Sequence, residues 1–276
     1  MISSLADHFK QVGIQFFPGL WVVWPEVPRP GYQSARKKLD AYLFEVIRER
    51  RNQVTNGDDL LSYLVFETDM PDELIRDQML TLLIAGHDTS TASLSWTLFL
   101  LGKHQDWMKQ VVEEVHKTIG EQPPTIERIK MMPVMDRVTK EALRLYPPIH
   151  LGARVAAEDL EFNGYRIPAG QRVVYSIYLS HRHPDYWDAP DTFNPDRFLP
   201  NNTRERSHYV YLPFGGGARN CIGFSFAQVE LPLVLARIFQ RFSLDLTPRS
   251  VHAHMGATLE PRPGVFMSVK ERIKTQ

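Results

Sequence analysis

Apolar residues return every three or four positions between Gly31 and Val54, at Ala35, Leu39, Tyr42, Leu43, Val46 and Ile47. That stripe predicts an amphipathic helix with one buried face. Asn56-Gly57 ends it, and Asp58 to Phe66 predicts a second, short helix. Pro71 to Lys103 is the longest periodic segment, opened by Pro71, Asp72 and Glu73, a proline and two acids that suit a helix N-terminus. A helix over this whole run would be about 50 Å long. Its middle is apolar enough to raise a membrane span, but His87 and Asp88 sit at the centre and would be costly in lipid, so a buried central helix is expected. Helical spacing marks three further runs: Asp106–Ile119, Val134–Tyr146 closed by Pro147-Pro148, and Phe224–Phe242.

The remaining patterns are shorter. Leu160-Glu161-Phe162 and Tyr165-Arg166-Ile167 flank Asn163-Gly164, the strongest short signal for a hairpin, within a strand-forming stretch from Arg154 to Tyr175. Thr258–Pro261 and Val265–Val269 predict terminal strands. Met1 to Gln15 is weakly helical, and Phe16 to Pro30 is an apolar, aromatic loop broken by prolines, which covers a core or faces a membrane or substrate. These elements describe one mainly α-helical domain, residues 1–276, with small β-sheets.

Charge changes this picture little. Lys+Arg and Asp+Glu are 32 each in 276 residues, which gives no footprint for nucleic acid. The N-terminus lacks a basic-then-apolar leader, so a cytoplasmic protein is expected, or one peripheral to a membrane, with no transmembrane segment.

The chemistry concentrates around a single cysteine. Phe214 to Gly223 reads FGGGARNCIG and holds Cys221, which has no disulfide partner in the chain. A free cysteine is usually a small buried hydrophobe. A core cysteine, however, needs no run of Gly215, Gly216 and Gly217, no Arg219, and no helix start at Phe224. Those features suit a thiolate, as ligand to a soft metal or as nucleophile. Within the long helix, Ala85-Gly86-His87-Asp88-Thr89-Ser90 puts a poor helix former beside an acid and hydroxyls. A local bond from Thr89 to a carbonyl one turn earlier is the plain explanation. Glu141 and Arg144 share one helix face. His181 and His183, like His252 and His254, lack the further ligands of a metal site.

The spacing Phe214, Gly217, Arg219, Cys221, Gly223 resembles the haem-binding loop of the cytochrome P450 family. The resemblance implies that Cys221 is the axial thiolate to haem b iron, that Phe214 and Gly223 belong to its loop, and that Arg219 and Arg154 face haem propionates. It implies that Ala85 and Gly86 border the O2 site, with Asp88 and Thr89 delivering protons. It further implies a buried structural cluster of Glu141, Arg144 and Arg197, the last in Phe193-Asn194-Pro195-Asp196-Arg197-Phe198, and a substrate pocket lined by Ile149, His150, Leu151 and Ala257. The expected reaction is insertion of one oxygen atom of O2 into a hydrophobic small molecule, with electrons from NAD(P)H through a separate reductase or ferredoxin. The resemblance runs from about Phe16 to the C-terminus, and the family's large N-terminal section has no counterpart here, so the strands near Arg154 are expected to have open edges. Three alternatives remain: a haem-thiolate isomerase or dehydratase acting on peroxides, a catalytically silent form with a binding or regulatory role, and a cysteine hydrolase.

Overall fold

The computed structural model of the chain describes residues 31–53, 57–203 and 207–272. The helical prediction for Met1–Gln15, the aromatic loop from Phe16 to Pro30, and Asn56 of the first helix stop lie outside the described residues. The chain divides into two compact units, Met1–Asp88 and Thr89–Gln276, with the boundary inside the long helix.

The first unit is built on α1 (Tyr32–Arg51), α2 (Leu60–Phe66) and the front half of α3 (Asp72–Lys103). The predicted stripe of α1 faces inward: Ala35, Leu39, Leu43 and Ile47 are buried, and Ile47 packs with Leu64, Val65 and Ile75. Asp59 caps α2 by accepting the Ser62 N–H at 2.9 Å and pairs with Arg50 at 2.6 Å. Arg51 meets Asp72, and Arg76 meets Asp40, each at 2.6 Å, so charged side chains frame the three helices.

The second unit holds the rest of α3, then α4 (Gln105–Thr118), α5 (Ile126–Ile129), α6 (Pro133–Leu145), α7 (Ile177–Ser180), α8 (Pro200–Thr203) and α9 (Phe224–Arg241). Its core gathers Trp96, Leu101, Val111, Met135, Leu235 and Phe239, all nearly or fully inaccessible. Each such side chain contributes about 1.5–3 kcal/mol through burial. Glu114 of α4 closes the start of α6, its two oxygens accepting the N–H groups of Val134 and Met135 at 2.8 Å each. Trp96 ties three segments together. Its ring stacks on Tyr146 with centroids 3.7 Å apart, and its Nε1–H donates to the Leu259 carbonyl at 2.9 Å.

Among the described residues the strands form four two-stranded antiparallel sheets. β1 (Leu151–Val155) pairs with β4 (Arg172–Ser176), and β2 (Leu160–Phe162) with β3 (Tyr165–Ile167). The turn between β2 and β3 has φ of 49° at Asn163 and 80° at Gly164, both in the left-handed region that an Asn-Gly hairpin uses. β5 (Phe242–Leu246) pairs with β8 (Met267–Glu271), and β6 (His252–Met255) with β7 (Leu259–Arg262). β1 and β4 have no third strand among the described residues, and Val155 and Val174 are exposed on them. The expected mainly helical fold with small sheets is what the structure shows. Among the described residues no helix is long and apolar enough to cross a membrane.

Candidate functional site

The cysteine loop is shaped by its own backbone. Gly215 and Gly217 adopt φ of 76° and 74°, a conformation that side-chain-bearing residues rarely take. The Gly215 N–H donates to the Leu212 carbonyl at 3.0 Å, Asn220 N–H to Gly217 at 3.1 Å, and Cys221 N–H to Phe214 at 3.0 Å. This last bond closes the loop and sets Cys221 just ahead of α9, whose first residue is Phe224. Phe214 and Phe224 meet edge to face, centroids 4.9 Å apart. Cys221 is free and exposed, so its sulfur is open to a partner from outside the loop. Behind the loop lies a cavity of about 360 Å³ lined by Leu143, Tyr211, Leu212, Phe214, Phe224 and Leu231 among others.

The structure brings Glu141, Arg144 and Arg197 together in one ion cluster. Arg144 donates Nε–H and Nη2–H to the two oxygens of Glu141 at 2.7 and 2.8 Å. Its other three N–H groups go to the carbonyls of His181, Pro190 and Thr192, at 2.8, 2.7 and 3.2 Å. All five guanidinium donors are therefore used, and the group also lies 4.9 Å above the Trp187 ring. Glu141 accepts the Asn194 N–H at 2.9 Å, and Arg197 Nε lies 3.4 Å from the same carboxylate. The cluster thus binds α6 to the segment from His181 to Arg197 that leads into the cysteine loop.

His181 makes a second link along this path. Its Nδ1 lies 3.1 Å from the Arg144 carbonyl, and its Nε2 accepts the Leu212 N–H at 2.8 Å. Burial pushes its pKa down to about 4, with the Arg144 and Arg182 charges acting in the same direction.

The residues at the end of α6 separate by side. Ile149 and Leu151 are 43% and 49% exposed, whereas His150 is buried with its Nδ1 unpartnered. Ala257 is half-buried, next to buried Thr258. Arg154 is exposed; it donates to the Ala153 carbonyl and lies 5.6 Å over the Tyr175 ring. Arg219 is exposed.

On the central helix, Ala85 and Gly86 are exposed, and a Cβ at Gly86 would meet no atom within 4 Å. Asp88 pairs with its neighbour, His87 Nδ1 lying 2.8 Å from Asp88 Oδ1. Thr89 opens the second unit, its carbonyl accepting the Ser93 hydroxyl at 2.8 Å. Sequence reasoning missed the next link: Ser90 Oγ donates to Glu230 Oε2 at 2.7 Å, joining α3 to α9. The available signal was that Glu230 is the lone acid in a mainly apolar helix.

A family model described as cytochrome P450 matches residues 1–267. The chain is 36% identical over 274 residues to cytochrome P450 97B2, chloroplastic, of Glycine max, covering 87% of this chain and 47% of that one. It is 32% identical over 284 residues to cytochrome P450 4V2 of Homo sapiens, covering 92% and 54%. Among solved structures, the cytochrome P450DA heme domain superposes with a TM-score of 0.83 at 36% identity, over 88% of this chain and 56% of that one. The retinoic acid-bound cyanobacterial CYP120A1 superposes with a TM-score of 0.88 at 31% identity, over 97% and 63%. The chain spans about half the length of the curated relatives it matches. With the family model matching nearly the whole chain and relatives above 30% identity across most of it, the chain belongs to the cytochrome P450 family.

Proposed function

We propose that this chain carries the haem-binding and oxygen-handling part of a monooxygenase. It inserts one oxygen atom of O2 into a hydrophobic organic substrate, with electrons from NAD(P)H through a separate reductase or ferredoxin. The observation that carries this reading is Cys221, free and exposed at the head of α9, in a loop closed by its own N–H bond to Phe214. The residues present fit haem. A thiolate is a suitable axial donor, the loop carries no bulk at Gly215 to Gly217, and the exposed Arg219 and Arg154 guanidiniums can take propionates. Haem bound there supplies reductive activation of O2, chemistry that no side chain carries.

The chain's own residues do the rest. Gly86, with open space where a Cβ would stand, leaves a notch in the central helix for a small ligand beside Ala85. Asp88 and Thr89 hold and pass protons, the carboxyl relaying and the hydroxyl donating. Ile149, Leu151 and Ala257 present an apolar face to substrate, and one structural neighbour is a retinoic acid-bound protein.

The test is turnover with a reductase, NAD(P)H and isotopically labelled O2. One labelled oxygen atom in the product, lost in Cys221→Ala, is expected; product carrying oxygen from water contradicts the reading. A catalytically silent binding role is the second reading, favoured by the exposed apolar surface of Ile149, Leu151 and Val155. Under it, no variant or wild-type chain yields oxygenated product.

A further inference from the structure

His181 belongs to none of the roles assigned above, yet it is fully buried and both of its ring nitrogens are engaged. A backbone N–H can only donate and a carbonyl can only accept. Leu212 N–H therefore requires a lone pair on Nε2, and the Arg144 carbonyl requires the proton on Nδ1. The two bonds can be made together only by the neutral imidazole with Nδ1–H. The link is reciprocal, because the His181 carbonyl in turn accepts from Arg144 Nη1 at 2.8 Å.

Leu212 is the entry to the cysteine loop. Its N–H goes to His181, its carbonyl takes the Gly215 N–H, and two residues on the Phe214 carbonyl takes the Cys221 N–H. The bonds form a relay from the C-terminus of α6 to the cysteine. We infer that His181 is the positioning residue that holds the cysteine loop in register, and that it does so only as the neutral Nδ1–H tautomer, which makes the loop acid-labile. Protonating Nε2 turns the acceptor into a donor facing the Leu212 N–H, so the bond is lost and two buried donors oppose each other.

The surroundings act against protonation. Arg144 on α6 and Arg182, the residue after His181, are both cationic, Glu141 is already committed to Arg144, and Tyr211 covers one ring face at a centroid distance of 5.2 Å while its hydroxyl donates to the Lys140 carbonyl. Burial, with the two cations, outweighs the upward pull of the Arg144 and Leu143 carbonyls and holds the pKa at about 4. The folded value lies below that of the unfolded chain, so this contribution is complete at neutral pH. It declines as pH falls from about 6.5 toward about 4, the window between the two values. The consequence for iron ligation rests on the role proposed for Cys221, whereas the bond pattern at His181 does not.

The test needs no haem. Nitrogen-15 spectra of the histidines in the whole chain, recorded from about pH 7.5 to about pH 4.5, report tautomer and titration directly. Expected is a proton on Nδ1, a bare Nε2, and no titration until well below the ordinary histidine value. An Nε2–H tautomer, or titration near the ordinary value, overturns the inference. Hydrogen exchange at Leu212, Gly215 and Cys221, corrected for intrinsic rates, supplies the second arm. His181→Gln offers one acceptor and one donor at similar separation and cannot titrate, so these amides stay protected and lose their acid sensitivity. In His181→Phe they exchange roughly tenfold faster at neutral pH, the size expected for one lost buried bond. Unchanged exchange in His181→Phe also overturns it, and if that variant does not fold, the wild-type spectra and His181→Gln still decide. If the tautomer and exchange results hold while no thiolate-type haem spectrum is obtained, the role of Cys221 fails and that of His181 stands.

Discussion

Arg144 and Glu141 form a bidentate ion pair, Nε to Oε2 at 2.7 Å and Nη2 to Oε1 at 2.8 Å, with neither side chain exposed. Removing one partner leaves the other as an uncompensated buried charge, at a cost of about 3–5 kcal/mol. Glu141→Ala and Arg144→Ala are expected to be unfolded or to melt at much lower temperature. Arg144→Lys fails almost as badly, because an ammonium cannot reach acceptors on Glu141, His181, Pro190 and Thr192 at once. Denaturant titration of the three variants checks this; a midpoint within error of wild type would show the cluster to be dispensable.

Gly102 offers a prediction whose sign opposes helix propensity. It lies within α3, where replacing glycine by alanine ordinarily stabilises by up to about 1 kcal/mol. A Cβ here would stand 2.8 Å from Leu246 Cβ and 3.1 Å from Met267 Cε, and the first of these belongs to the backbone-proximal part of β5. Gly102→Ala therefore destabilises, by about 1–3 kcal/mol, the range for overpacking. Thermal unfolding beside a control alanine substitution at Gly86, where nothing lies within 4 Å, should show opposite signs.

Trp96 combines packing with one directed bond. Trp96→Phe keeps most of the stack on Tyr146 but loses the bond to the Leu259 carbonyl, costing about 1–2 kcal/mol. Trp96→Ala costs about 3–5 kcal/mol. Equal losses in the two variants would mean that the hydrogen bond, not the ring, supplies the energy.

Acid stability follows from His181. The folded pKa of about 4 lies below the ordinary 6.5, so the unfolded chain takes up a proton first as pH falls. Stability then drops by about 3 kcal/mol between neutrality and pH 4, and this component levels off below that. His181→Gln should remove that limb from a plot of unfolding free energy against pH. A wild-type plot flat across this window contradicts the assignment.

What the sequence made legible was local. The stripe Ala35–Leu39–Leu43–Ile47 gave α1 to within three residues at its end, and Asn163-Gly164 gave the β2–β3 hairpin with its turn conformation. The cysteine loop, too, could be read, because three glycines and a helix start state their own geometry. What stayed hidden depends on distant partners. β6 is exposed at all four positions, His252 to Met255, so it carries no alternation, and only its pairing with β7 makes it a strand. β5 begins at Phe242 directly after α9, where an apolar run gives no boundary. Glu230 looked like one acid on a helix until Ser90, 140 residues away, supplied its partner. His181 read as half of a weak metal pair, and its work became visible only when Arg144 and Leu212 were placed on either side of its ring.

The central claim is that Cys221 is the thiolate ligand of a bound haem. The most direct measurement is the absorption spectrum of haem-supplemented protein, reduced and exposed to carbon monoxide, for wild type and Cys221→Ala. The account predicts the strongly red-shifted band of a thiolate-ligated haem in the wild type and its disappearance in the variant. The same band in both proteins, or in neither while haem remains bound, would contradict it.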